Sequence, residues 1–212
     1  MPTIRRANPD DAGFIAETIL LAQRGHVPRG WFDIALNRPE PETIAFVRTI
    51  ATARAQSWWH VAHFLVAEVE GVPAAALCAL PARETVADAR AAIAETAEAT
   101  GLTISELAAI RGRGAYLTNC WVQGGESDWL VEHVASRPSY RGRGLILALI
   151  EHALAAGKAG GYAQASITFL IGNEVAQRCY SRAGFAFAEE KRDASFEALT
   201  GAPGFRRFQR AI

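Results

Sequence analysis

The tetrapeptide Arg-Gly-Arg-Gly stands twice in this chain, at residues 111–114 and again at 141–144. A glycine-rich turn flanked by arginines can cradle a phosphate. The missing Cβ atoms let an oxygen approach the backbone, and each guanidinium adds charge-assisted hydrogen bonds. The same letters can equally be a plain turn with two solvated charges, so the neighbours must distinguish the copies. Residues 141–144 lead into a stretch in which Leu145, Ile146, Leu149, Ile150, Ala153 and Leu154 fall on one helical face. A turn that enters a helix leaves the first-turn N–H groups free and adds the positive end of the helix dipole. That combination suits a diphosphate. Residues 111–114 instead follow the helical segment "ISELAAI", so Gly112 or Gly114 is expected to cap a helix C-terminus, where carbonyls repel anions. Neither copy is a Walker loop or a GxGxxG dinucleotide fingerprint.

A second constellation lies about thirty residues beyond the second copy. Asn173 is placed to cap a short helix, and Asn173, Ala176 and Tyr180 share one of its faces. Gly184 is placed to end it, just before Phe185. A small residue between a polar cap and a phenol suggests a surface that accommodates something bulky; ordinary packing with a half-buried tyrosine is the competing reading. Cys179 falls off that face and is expected in the core. Cys78, Cys120 and Cys179 are far apart and lack metal-ligand spacing, so neither a zinc site nor a disulfide framework is expected. His60 and His63, in a predicted strand, are expected to be satisfied structural histidines.

These residues need a scaffold. "TIRRANPDDAGFIAETILLAQRG" reads as strand, turn and helix ended by Gly25. Residues 26–42 read as a loop or broken helix, and 41–54 as a helix. "WHVAHFLVAEVEGVPAAALCALP" reads as a hairpin turning at Gly71, with Pro73 near the start of the returning strand. Two surface helices follow, over 84–100 and from Thr103 or Ser105 onward, and then a strand in "GAYLTNCWV". A strand over 129–136 closes at Pro138, and the remainder alternates: helix 144–156, strand 163–171, helix 174–183, strand 184–191. Such alternation implies an α/β sheet, and no linker divides the 212 residues, so a single domain over 1–212 is expected. The 22 basic and 22 acidic residues cancel, which argues against a dedicated nucleic-acid binder, and no apolar stretch is long enough for a membrane span. A cytoplasmic protein is expected, its three thiols kept reduced.

"VASRPSYRGRGL" followed by "NEVAQRCYSRAGF" resembles the GNAT superfamily of acyl-CoA-dependent N-acyltransferases. The family's first signature, [QR]-x-x-G-x-[GA], is met at Arg141 and Gly144 and departs at Ile146. A larger residue there is expected to shift how closely a pyrophosphate approaches. The second, N-x-x-A-x-x-x-Y-x-x-x-G-F, is met in full by Asn173, Ala176, Tyr180, Gly184 and Phe185. The match covers about residues 129–188; "GAPGFRRFQRAI" looks like a final strand, and 81–115 looks like an insertion.

The resemblance implies a mixed, twisted sheet of about six to seven strands, helices on both faces, and a splayed parallel strand pair. It implies acetyl-CoA, or another acyl-CoA, as co-substrate, with no metal. Backbone groups of Val134, Ala135 and Ser136 would bind the pantetheine arm, the amides of Arg141, Gly142, Arg143, Gly144, Leu145 and Ile146 the pyrophosphate, and Asn173 and Ala176 the arm again. Tyr180 would protonate the departing thiolate, a task open to a phenol of ordinary pKa about 10. The implied reaction is direct attack of a primary amine, on a small molecule or a peptide, upon the thioester. As general base Glu132 is preferred to His133; strand alternation sends the two to opposite faces, with Glu132 beside Leu130 and Val134. Trp31, Phe32, Trp58, Trp59, Trp121 and Trp129 are candidates for an acceptor pocket. Family members often pair as homodimers. A non-catalytic acyl-CoA-binding or sensor module on the same fold is the alternative, and RNA binding through the RGRG segments a more distant one, opposed by the zero net charge.

Overall fold

A computed structural model describes residues 2–84, 86–122 and 124–212. Seven strands form one sheet in the order β1-β2-β3-β4-β5-β7-β6. They are β1 (Thr3–Arg6), β2 (Phe64–Val69), β3 (Val72–Pro81), β4 (Trp129–Ser136), β5 (Gln164–Leu170), β6 (Ala186–Arg192) and β7 (Gly204–Ala211). Among the described residues only β4 and β5 pair in parallel; the other neighbours are antiparallel. The β2–β3 turn is tight because Glu70 (φ 53°) and Gly71 (φ 77°) both take left-handed backbone, which matches the twist of the flanking strands. Pro73 sits at the second position of β3, as expected.

The helices are α1 (Ala12–Arg24), α2 (Trp31–Leu36), α3 (Glu40–Ile50), α4 (Val86–Ala99), α5 (Ile104–Gly114), α6 (Leu145–Ala159), α7 (Glu174–Arg182) and α8 (Ala194–Thr200). Residues 26–42 are thus a broken helix, as expected, with α2 between two turns. Side chains of α1, α2 and α3 fill one face of the sheet: Ile15, Ile19, Phe32, Val47 and Ile50 pack on Phe64, Cys78 and Leu80 with no exposed surface. Burying each such side chain is worth roughly 1.5–3 kcal/mol. The opposite face is covered by α6 and α7, through Leu145, Leu149, Ile150, Ala153, Leu154 and Tyr180 over Leu77, Val131 and Ile167. Helix α6 lies close to the start of β4 because Gly157 meets Trp129: a Cβ there would come within 2.7 Å of the indole.

Two expectations are corrected. "GAYLTNCWV" is no strand; residues Ala115–Asn119 continue α5 as a tighter 3-10 helix, and Tyr116 and Leu117 pack beside Phe196 of α8, a helix the sequence reading passed over. His60 and His63 precede β2, in a short turn where His60 Nδ1 accepts from the Ala62 amide and His63 Nε2 meets the Gln56 carbonyl. Their satisfied, structural character stands. The expected helix over 84–100 is present from Val86; Thr85 lies outside the described residues.

Candidate active site

The sheet opens between β4 and β5. The two strands pair only at Trp129, Leu130 and Val131 with Ala165, Ser166 and Ile167; beyond that β4 runs on to Ser136 and β5 to Leu170 without a shared ladder. Val134, Ala135 and Ser136 lie on this parted stretch, which leaves backbone groups on the β5 side without a strand partner. Ala135 and Ser136 still pair with Ala76 and Ala75 of β3 on the other side.

A bulge interrupts β4 at the parting. Ala76 pairs with Ala135 and Cys78 with Glu132, so Leu77 opposes both His133 and Val134. His133 absorbs the extra residue with left-handed backbone, φ 49°. This overturns the alternation expected from the sequence. Glu132 and His133 line the same cavity, while Val134 turns to the other face and packs with the α6 side of the core. One inserted residue shifts the period-two pattern by one step, and every side chain beyond it changes face.

The environment of the pair sets its protonation. Burial pushes the Glu132 carboxyl up to about 8. Burial pulls His133 down to about 4, with its ring stacked on Phe64 at 6.3 Å and edge-on to Trp58 at 6.4 Å. His133 Nε2 has no hydrogen-bond partner among the described residues. At neutral pH the imidazole is therefore uncharged, whereas the carboxyl titrates near the working range, which is where a proton acceptor is most effective.

Residues 141–144 form an exposed loop ahead of α6. Gly142 (φ 77°) and Gly144 (φ 76°) are both left-handed, and a Cβ built on either would meet nothing within 4 Å. The first intrahelical bond of α6 runs from the Ala148 amide to the Gly144 carbonyl at 3.2 Å, so the amides of Leu145 and Ile146 lie ahead of the helical ladder. Arg143 lies over the Tyr140 ring at 5.0 Å, and Arg141 is exposed. This is an open nest of donors able to hold an anion. Leu145 is buried, and Ile146 packs half-buried against the α6 face of the core. The side chain that departs from the signature is therefore seated against the core.

Asn173 caps α7: its Oδ1 accepts from the Ala176 amide at 3.2 Å. Ala176 and Tyr180 follow on the inward side, and Tyr180 sits edge-on to Phe169 of β5 at 5.4 Å, with 6% of its surface exposed. Burial, reinforced by Cys179 and Glu132, holds the phenol well above its usual value. Tyr180 therefore stays protonated, and it feels the Glu132 charge across the parted strands. Cys179 is half-buried at the edge of the core, in keeping with its expected packing role.

On the α1–α5 side, Glu132 and His133 open onto a cavity of about 620 Å³. Trp31, Trp58, Trp59 and Trp121 line it; Phe32 and Trp129 do not. Phe32 is wholly buried in the core and Trp129 packs against Tyr162 and Gly157. The sequence reading missed Tyr116, Thr168, Glu189, Lys191 and Phe205, which also line the cavity. For Thr168 the signal was available: alternation along β5 places it opposite the buried Ile167 and Phe169.

The first RGRG lies elsewhere. It is the last turn of α5, and the residue that caps the helix is Ala115 in ordinary helical backbone, so neither Gly112 nor Gly114 is the expected left-handed cap. Arg113 donates to the Ala35 and Leu36 carbonyls at the end of α2, at 2.8 and 3.1 Å. Gly114 is small because Trp31 lies on it: a Cβ would approach the indole to 2.9 Å, and Trp31 Nε1 donates to the Gly114 carbonyl at 3.1 Å. This copy fixes one wall of the cavity. No helix among the described residues is long and apolar enough to cross a membrane.

The fold is shared with solved acetyltransferases. One acetyltransferase structure superposes with a TM-score of 0.69 at 18% identity over 99% of both chains. An N-acetyltransferase from Staphylococcus aureus gives 0.69 at 18% identity, covering 98% of this chain and 100% of that one. The Drosophila melanogaster polyamine N-acetyltransferase, which forms N-acetylagmatine, gives 0.57 at 15% identity over the whole of both chains. No curated protein matches the sequence. Residues 31–185 match the acetyltransferase (GNAT) family, and with that span covering the parted strands, the glycine loop and α7, the chain belongs to this family.

Proposed function

We propose that the chain transfers an acetyl group from acetyl-CoA to the primary amine of an acceptor by direct attack, with residues 1–212 acting as one catalytic unit. The observation that carries this reading is the parting of β4 from β5 after Val131 and Ile167, with a donor-rich glycine loop on one side and a cavity holding Glu132 and His133 on the other. Free backbone of Val134, Ala135 and Ser136 would pair with the pantetheine arm as an added strand. The amides from Arg141 to Ile146 would hold the pyrophosphate, aided by the dipole of α6. Asn173 and Ala176 would flank the arm, and a backbone N–H near Val134 or Ala135 would polarise the thioester carbonyl.

Glu132 takes the proton from the attacking nitrogen, directly or through one water. The nitrogen lone pair forms the bond to the acetyl carbon, the C–S bond breaks, and Tyr180 protonates the departing thiolate. Tyr180 is suited to this because its buried phenol stays protonated throughout the working range. Holding both reactants in the cleft supplies most of the barrier reduction, and no covalent enzyme intermediate is needed. A cytoplasmic setting belongs to the same reading, supported by the buried free thiols of Cys78 and Cys120. The test is thiol release from acetyl-CoA in the presence of a panel of primary amines. Acetyl-CoA binding without release of CoA from any amine would favour a binding module over an enzyme.

A further inference from the structure

The cavity beside Glu132 has a composition that an amine of arbitrary shape does not require. Its aromatic wall is continuous. Trp31 stacks on Trp59 at 6.1 Å, Trp59 meets Trp58 at 5.6 Å, Trp58 meets Trp121 at 5.5 Å, and Trp121 meets Phe205 at 5.5 Å. These rings come from distant stretches of sequence, and the insertion helix α5 holds Trp31 in place through Gly114. A volume of about 620 Å³ exceeds what a small aliphatic amine fills and suits a ligand with a ring of its own.

The charges on the wall are balanced and committed. Arg29 donates to the Asp33 carbonyl and to Asn37, Lys191 to the Trp121 carbonyl, and Glu189 pairs with Arg207 at 3.6 Å. That leaves Glu132, at the parted strands, as the acidic group able to receive an amine nitrogen. A dication would leave its second charge against ring faces. Cation–π attraction offsets only part of the hydration such a charge gives up. The indole N–H groups of Trp58 and Trp59 and His133 Nε2 all lack partners among the described residues.

We propose that the acceptor is an arylalkylamine, its aromatic ring held among Trp31, Trp58, Trp59 and Trp121 and its nitrogen at Glu132. The proposal rests on the acetyl-transfer reading and specifies the substrate of the same site. The reaction balances without a further reactant: the amine gives up one proton, the thiolate gains one, and the products are the N-acetylated amine and CoA.

The test compares 2-phenylethylamine and tryptamine with agmatine, putrescine and ethylamine as acceptors, by CoA release. The aryl amines are expected to show kcat/KM at least about tenfold above the others, the scale on which apolar pockets discriminate. Trp58→Ala, and Trp121→Ala as a second variant, should raise KM for 2-phenylethylamine by about tenfold while acetyl-CoA affinity stays unchanged. Independently of turnover, 2-phenylethylamine should quench the protein's tryptophan fluorescence saturably, and agmatine should not. Equal or better kcat/KM with agmatine, putrescine or ethylamine would overturn the aryl acceptor and leave acetyl transfer standing. Saturable quenching with no CoA release from any amine would overturn the transfer reading, and the acceptor with it.

Discussion

In the proposed reaction Glu132 and Tyr180 would divide proton handling between them, because their surroundings push both toward the protonated form, but to different degrees. The carboxyl, near 8, gives up its proton within the working range, and the phenol does not. Turnover should therefore rise with pH through an apparent pKa near 8, and Glu132→Gln should lose that rise and about 10²-fold in kcat, read from a pH–rate profile. His133, near 4, should contribute no step between pH 5 and 7. The same shift makes a stability prediction. The folded pKa of Glu132 lies above its ordinary 4.5, so the folded state binds the extra proton between those values. The contribution of Glu132 is full below 4.5 and is lost as pH rises through 8. Glu132→Gln should remove this slope and, above pH 8, unfold at higher temperature than the wild type, a gain on the order of a few kcal/mol at most. Tyr180→Phe should lower kcat by about 10²-fold and leave the acetyl-CoA dissociation constant within about twofold. An unchanged kcat would remove Tyr180 as the acid.

At the level of elements, identical letters serve different ends because of what flanks them. Ahead of α6, Gly142 and Gly144 take left-handed backbone and expose amides; in the last turn of α5, Gly112 is ordinary helix and Gly114 makes room for an indole. Gly144→Glu should abolish acetyl-CoA binding in calorimetry, since it adds left-handed strain of about 1–2 kcal/mol and a negative charge where the pyrophosphate would sit. Gly112→Glu is the matched control: its Cβ meets nothing, and binding should be unaffected. Gly114 cannot serve as that control, because any side chain there displaces Trp31. Comparable losses at positions 144 and 112 would undo the distinction between the copies. The bulge in β4 is equally local: one extra residue brings Glu132 and His133 to a single cavity.

The whole molecule opens its sheet at the parallel β4–β5 pairing and braces the intact end of that pairing. Asp128, 3% exposed, accepts from Ser166 Oγ, from Gln164 Nε2 at 3.2 Å, from Gln209 Nε2 at 3.3 Å and from the Gly125 amide at 3.0 Å, with Arg207 at 3.6 Å. These bonds tie the start of β4 to β5 and β7 just before the strands part. Asp128→Ala leaves one buried and several half-buried donors without this partner and should cost about 2–4 kcal/mol, read as a lower urea midpoint with an unchanged slope. If the brace also fixes the cleft, KM for acetyl-CoA should rise with it.

Local elements and the signature positions were legible in the residues alone. Helical periodicity marked α1 and α6, the Glu70-Gly71 turn marked the β2–β3 hairpin, and Asn173 marked the start of α7, because each depends on residues within a few places of one another. The face of β4 that His133 occupies, the tryptophans that border the cavity and the part played by the first RGRG were not legible there. Those depend on contacts across long separations: Leu77 opposing two residues of β4, Trp31 resting on Gly114, Trp58 meeting Trp121. A bulge shifts a strand's phase without any distinctive residue to announce it, and a ring joins a pocket or a core according to what packs against it from far along the chain.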